Sequence, residues 1–148
     1  MGLYSITVDA IALTAATAKT CIELGTASTD RAQLVAWWAD FDGVTPTAIP
    51  VKIEAQRASA AVTTATTLTP EKWDIADGAA AVVAKHSTST EGAGTLSGGE
   101  IHRIHPQSGI FREYPLGREL IIPVSAFWRL RITAAATVNV TVGAIWAE

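Results

Sequence analysis

The sequence predicts an all-β fold: an antiparallel two-sheet sandwich of jelly-roll type with eight or nine strands. Three observations carry this. Residues 118–148 alternate with a period of two, the signature of strands with one buried face. Short apolar runs are separated by turn signals, with no alternation of strands and helices. Charged residues make up 17% of the chain, below the roughly 25% of ordinary globular proteins, while Thr and Ala are abundant. A chain of 148 residues is expected to be a single domain, 1–148, that buries a core without disulfides.

Taken in order, Tyr4, Ile6 and Val8 alternate with Ser5 and Thr7, so residues 1–9 read as a first strand or an N-terminal arm. Ile11 to Leu13 continues it beyond a break near Asp9. Thr20, Ile22 and Leu24 form the apolar side of a second strand, which leaves Cys21 on the polar side. In residues 33–42, Val35, Trp37, Ala39 and Phe41 make the inner face. Adjacent strand residues point opposite ways, so Trp38 looks outward. It is then either covered by a neighbouring element or available to a partner. Val51, Ile53 and Ala55 face inward from the next strand, and Lys52, Glu54 and Gln56 read as a solvated outer face.

Residues 58–100 differ, being rich in Ala, Thr, Ser and Gly with no sustained period. They read as a long surface segment lying over the sandwich or reaching a neighbour. Thr69-Pro70-Glu71 has the signature of a helix start, predicting a short helix to about Ile75. Ala79 to Lys85 fits a helical turn or a strand, and Ser87 to Gly99 reads as a mobile loop. Ile101 to His105 and Ile110 to Tyr114 are a strand and its return across the Pro106-Gln107-Ser108-Gly109 turn. Leu120, Ile122 and Val124 mark a strand in which Pro123 signals an end, an edge or a bulge. Trp128, Leu130 and Ile132, then Val138, Val140 and Val142, are the inner faces of the last two strands. Ala134 to Ala136 predict a hairpin between them. The expected core is Trp37, Phe41, Ile53, Trp128, Leu130, Ile132, Val140 and Val142.

Composition narrows the function. The formal net charge is −3 and Lys and Arg are scattered, whereas nucleic-acid binding calls for a basic face. No nucleic-acid partner is expected. One cysteine excludes an internal disulfide. The first residues lack the basic and apolar regions of a secretion signal. No uncharged apolar run reaches the length of a membrane span, so no membrane association is expected. Ile6 stands where a myristoylation signal needs Ser or Thr.

No catalytic constellation stands out. His102 and His105 are three apart, so a strand puts them on opposite faces, and no third ligand accompanies them. Neither a metal nor a cofactor is expected. Asp40, Asp42, Glu54 and Glu113 have no context that marks a glycosidase pair. The run from Glu91 to Gly99, EGAGTLSGG, lacks the Gly-Lys-Ser/Thr ending of a phosphate loop. Cys21 has no base marked out beside it.

Four segments together carry a resemblance: YSITVDAIALTAATAKTCIEL, WWADFDGVTPTAIPVKIE, IHPQSG and PLGRELIIPVSAFWRLRITAAATVNVTVGAIWAE. The chain resembles the jelly-roll decoration, or cement, proteins of tailed bacteriophage heads. The resemblance covers most of the chain except residues 58–99. It implies a non-enzymatic virion protein, made in the host cytoplasm, that binds the major capsid protein on the outside of the assembled head as a homotrimer. The expected contact residues, chosen on physical grounds, are Tyr4 and Ile6 in the N-terminal arm, Trp38 and Trp73. The rival reading is a carbohydrate-binding jelly roll, such as a tail-fibre receptor-binding head, with Trp38 and Trp73 stacking on sugars.

Overall fold

The computed structural model describes residues 1–45, 47–89, 91 and 96–148, with the side chains of 96–98 excepted. Twelve strands among them form two antiparallel six-stranded sheets, against the eight or nine expected. The front sheet holds β1 (Leu3–Leu13), β3 (Ala32–Phe41), β6 (Glu71–Lys72), β9 (Gly109–Glu113), β10 (Leu120–Ile122) and β12 (Val138–Ala147). The back sheet holds β2 (Ala18–Gly25), β4 (Val51–Ala58), β5 (Thr66–Leu68), β7 (Val83–His86), β8 (Leu96–Ile104) and β11 (Phe127–Thr133). The front order is β10-β3-β12-β1-β6, with β9 also on β3, and the back order is β5-β7-β2-β11-β4-β8.

The pairing is nested. β1 pairs with β12, β2 with β11, β3 with β9 and β10, and β4 with β8. A long antiparallel ribbon folded over on itself gives this order, which is the jelly roll. Its consequence corrects two expectations. β11 and β12 do not form a hairpin, because β11 lies in the back sheet and β12 in the front. β8 and β9 are separated in the same way. Residues 134–137 extend to ~13 Å, enough to cross between sheets about 10 Å apart. A loop short enough for a hairpin is therefore also long enough for an arch. Ala134 is buried, and its carbonyl accepts a hydrogen bond from Ala16 N, which pins the arch to the β1–β2 turn.

The inner faces pack as one core. Trp37, Ile53, Trp128, Leu130, Ile132, Val140 and Val142 are fully buried, and Phe41 is half-buried against them. Bulges keep apolar residues inward where the period alone would turn them out. In β1, Asp9 and Ala10 together oppose the stretch between Val142 and Val140, so Val8 and Ile11 both face the core. Ala10 takes a positive φ of 50° there. In β3 the register shifts beside Val35, so Leu34 is buried and Val35, expected inside, is only half-buried. In β2 the shift falls at Cys21, which is fully buried in the core rather than on the polar side.

The segment after β4 crosses the outside of the back sheet. Val62 N donates to Glu23 of β2, and Arg129 of β11 donates to Ala60 O. The chain then adds β5 and β7 beside β2, and β6 beside β1. The helix expected from Thr69 is absent. Glu71 and Lys72 extend along Ser5 and Tyr4, and Trp73 N donates to Leu3 O. One isolated helical turn is marginal in water, whereas the open edge of β1 offers backbone partners. Within Ala79 to Lys85 no helix forms; Val83 to Lys85 belong to strand β7, and Ala79 to Val82 lead into it. Of the loop expected over Ser87 to Gly99, residue 90 and residues 92–95 lie outside the described residues, and Leu96 to Gly99 belong to β8. Tyr4 and Ile6 lie in a strand between β12 and β6, not in a free arm.

Candidate functional site

The outward side of the front sheet carries an aromatic row. Across one row β9 contributes Phe111, β3 Trp38, β12 Gly143 and β1 Thr7. Trp38 and Phe111 stack with ring centroids 6.3 Å apart and planes 25° from parallel. Trp38 lies across Gly143, where a Cβ would collide with its indole. Phe111 remains 63% exposed and Trp38 is half-buried. Trp38 therefore faces outward as expected, partly covered by its neighbour. A Gly143→Ala substitution should push the indole off the sheet. Tryptophan emission should shift while the far-ultraviolet circular dichroism stays that of the native chain. In a Trp38→Phe background the same substitution should leave the emission unchanged.

The outward side of the front sheet carries acids but no bases at its strand positions. Asp9, Asp40, Glu71 and Glu113 occupy outward or edge strand positions on the front sheet, and none of its outward strand positions carries Lys or Arg. Lys19, Lys52, Arg57, Lys85, Arg103, Arg129 and Arg131 all lie on back-sheet strands. Lys72 on β6 and Arg112 on β9 are the basic residues on front-sheet strands, and Glu23, Glu54 and Glu100 lie among the back-sheet bases.

Much of that back-sheet charge is internal. Glu23 and Arg129 are each 1% exposed, with Arg129 Nε donating to Glu23 Oε2 at 2.7 Å. Val62 N and Ala60 O complete the pair's hydrogen bonds. Glu54, expected in a solvated face, is buried and paired with Lys52 at 2.8 Å, with Arg131 at 3.8 Å. Glu91 accepts from Thr20 N and Oγ1 at 2.5 and 2.8 Å. Glu23, Arg129 and Glu91 tie crossing segments to the sheet, while the Lys52–Glu54–Arg131 group lies within it.

A second polar group closes one side of the sandwich, where β8 and β9 face each other across the core. Arg112 donates to both oxygens of Glu100, at 2.9 and 3.0 Å, and sits 4.9 Å from the centre of the Tyr114 ring. That fork holds the Glu100 carboxyl below the usual carboxylate range. His102 meets Glu100 at 3.2 Å and packs edge-on against Trp37, while His105 lies in the turn before Pro106. The two histidines have separate surroundings. Among the described residues no three His, Cys, Asp or Glu side chains gather to hold a metal.

At the end of the sandwich where the β3–β4 and β11–β12 loops meet lies a cleft of about 480 Å³. Val44, Ile49, Pro106, Ala135 and Val138 line it, with Asp42 and Asn139 at its rim. Val44 and Ile49 are 84% and 67% exposed. Asp42 accepts from Asn139 N and Nδ2 at 2.9 and 2.8 Å, bonds that hold its carboxyl below the usual range. The candidate carboxylates do not converge. Glu54 is on the back sheet, and Asp40 and Glu113 are offset by four residues along the β3–β9 pair, roughly 13 Å, beyond the roughly 6.5–9.5 Å of an inverting pair.

The other expected contact residues divide. Tyr4 and Ile6 are buried in this chain's own core and offer no surface. Tyr4 stacks on Trp146 and its hydroxyl donates to Gly78 O at 3.2 Å. Trp73 is exposed, but lies beyond β6 at the opposite margin of the front sheet from Trp38. β12 and β1 intervene, so the two indoles do not share one site. The sequence reading missed Phe111 and Gly143. Only their register beside Trp38 joins them, and no local pattern announces it. Cys21 is inert in the folded state, since burial pushes its thiol up to about 12. A thiol reagent at neutral pH should label it only after denaturation. Prompt labelling of the native chain would show that Cys21 is accessible.

The fold and these surfaces define a two-sheet antiparallel sandwich with an exposed aromatic face and an apolar loop-end cleft. No family model matches the chain, and no curated protein or solved structure matches it.

Proposed function

We propose that the chain is a non-enzymatic structural protein of a phage virion. As a homotrimer it decorates the outer surface of the assembled head, binds the major capsid protein there and stabilises the shell. The resemblance in four sequence segments supplies this reading. The observation that carries it structurally is the loop-end cleft, where Val44 and Ile49 stand exposed around an apolar hollow. Exposed apolar surface of this kind suits docking against another protein. A protein that binds only the assembled shell stabilises it by mass action, and several copies of a weak contact add avidity.

The test mixes the purified chain with undecorated phage shells and sediments them. The chain should co-sediment, and decorated shells should withstand more heat than bare ones. Val44→Asp with Ile49→Asp should abolish binding without lowering the melting temperature of the free chain. Shells that neither retain the wild-type chain nor gain heat resistance would overturn the reading. The near-parallel, exposed Trp38 and Phe111 rings favour a second reading, a carbohydrate-binding module. A glycan-array signal that disappears in Trp38→Ala would support it instead.

A further inference from the structure

We infer that copies of this chain join through two different surfaces: the Trp38–Phe111 face of one copy receives the Ile101–Arg103 row of the next. This deepens the homotrimer reading above by naming the contact. A ring of three or more identical subunits needs a heterologous contact, in which one patch meets a second, different patch. Both halves of such a contact are present on this chain.

The receiving half is the front-sheet row of Phe111 and Trp38, with Glu113 two residues beyond Phe111 on the same side of β9. Asp40 flanks Trp38, but its carboxylate leans onto Gly109, where a Cβ would strike it. Glu113 is the freer acid, and it is exposed. The entering half lies on β8, the edge strand of the back sheet. Ile101 is 58% exposed, and Arg103, two residues further on the same side, is also exposed.

The spacings match. Two residues along a strand cover roughly 6.6 Å, so Ile101 placed on the Phe111 ring sets Arg103 beside Glu113. The apolar side chain meets the aromatic stack, and the guanidinium meets a carboxylate at the stack's margin, within reach of the rings. β8 is also the longest edge strand of either sheet, and an exposed edge of that length invites pairing unless it is covered. The complementary charges of Arg103 and Glu113, both exposed, favour a second copy over a glycan.

Light scattering coupled to size exclusion tests this on the full chain. The wild type should give three times the 15.5 kDa chain mass. Arg103→Glu and Glu113→Arg should each weaken assembly roughly tenfold or more. The double reversal should restore it. Ile101→Asp should dissociate the ring with the fold intact by circular dichroism. A trimer whose mass withstands both single reversals and Ile101→Asp overturns this contact and leaves the homotrimer standing. A wild type that stays one chain up to millimolar concentration overturns both.

Discussion

Replacing Arg129 with Met should lower the unfolding free energy by about 3–5 kcal/mol, because it leaves Glu23 buried without its counter-charge. Both side chains are 1% exposed, and the covering segment through Ala60 and Val62 shuts water out. The loss is that of a stranded carboxylate, so removing the carboxylate as well should recover part of it. The double variant Arg129→Met, Glu23→Gln should be more stable than Arg129→Met alone. Urea unfolding of the four chains gives the coupling energy directly. A single-variant loss below about 1 kcal/mol would mean that the segment opens and hydrates the pair in solution.

The second large effect separates two neighbouring tryptophans. Trp37→Ala should cost roughly 3–5 kcal/mol, since Trp37 is fully buried between the sheets and donates from its indole nitrogen to the Tyr114 hydroxyl at 3.4 Å. Trp38→Ala should cost roughly 1 kcal/mol, the scale of one exposed aromatic pair, because its only ring partner among the described residues is Phe111. The same substitution should weaken the contact between copies. Chemical denaturation of both variants measures the contrast. Equal losses would mean that the outer face of the front sheet is covered in the isolated chain.

Much of the fold is legible in the residue order. Trp37, Ile53, Trp128, Leu130, Ile132, Val140 and Val142 read as inward-facing from a period of two, and all lie in the core. The reading fails where a bulge shifts the phase. Leu34, Cys21 and Ile11 are each brought inward by one extra residue, which the alternation cannot announce. It fails again among the acids: Glu23, beside inward Ile22 and Leu24, and Glu54, read as part of a solvated face, are both buried. A segment distant in sequence covers the first, and neighbouring strand side chains enclose the second. The apparent helix start at Thr69 is overruled because the edge of β1 offers Glu71 to Trp73 backbone partners that a lone helical turn lacks.

By itself the sequence determined the all-β class, the position of most strands and the side of each that meets the core. Those properties are local, since the pleat alone turns successive side chains to opposite faces. Only the tertiary structure decided which strands lie side by side. The nested pairing brings Trp38, Phe111 and Gly143 from β3, β9 and β12 into one row. Alternation sets the side to which a residue points but carries no information about the neighbouring strand, so the candidate surfaces exist only once the ribbon has folded over.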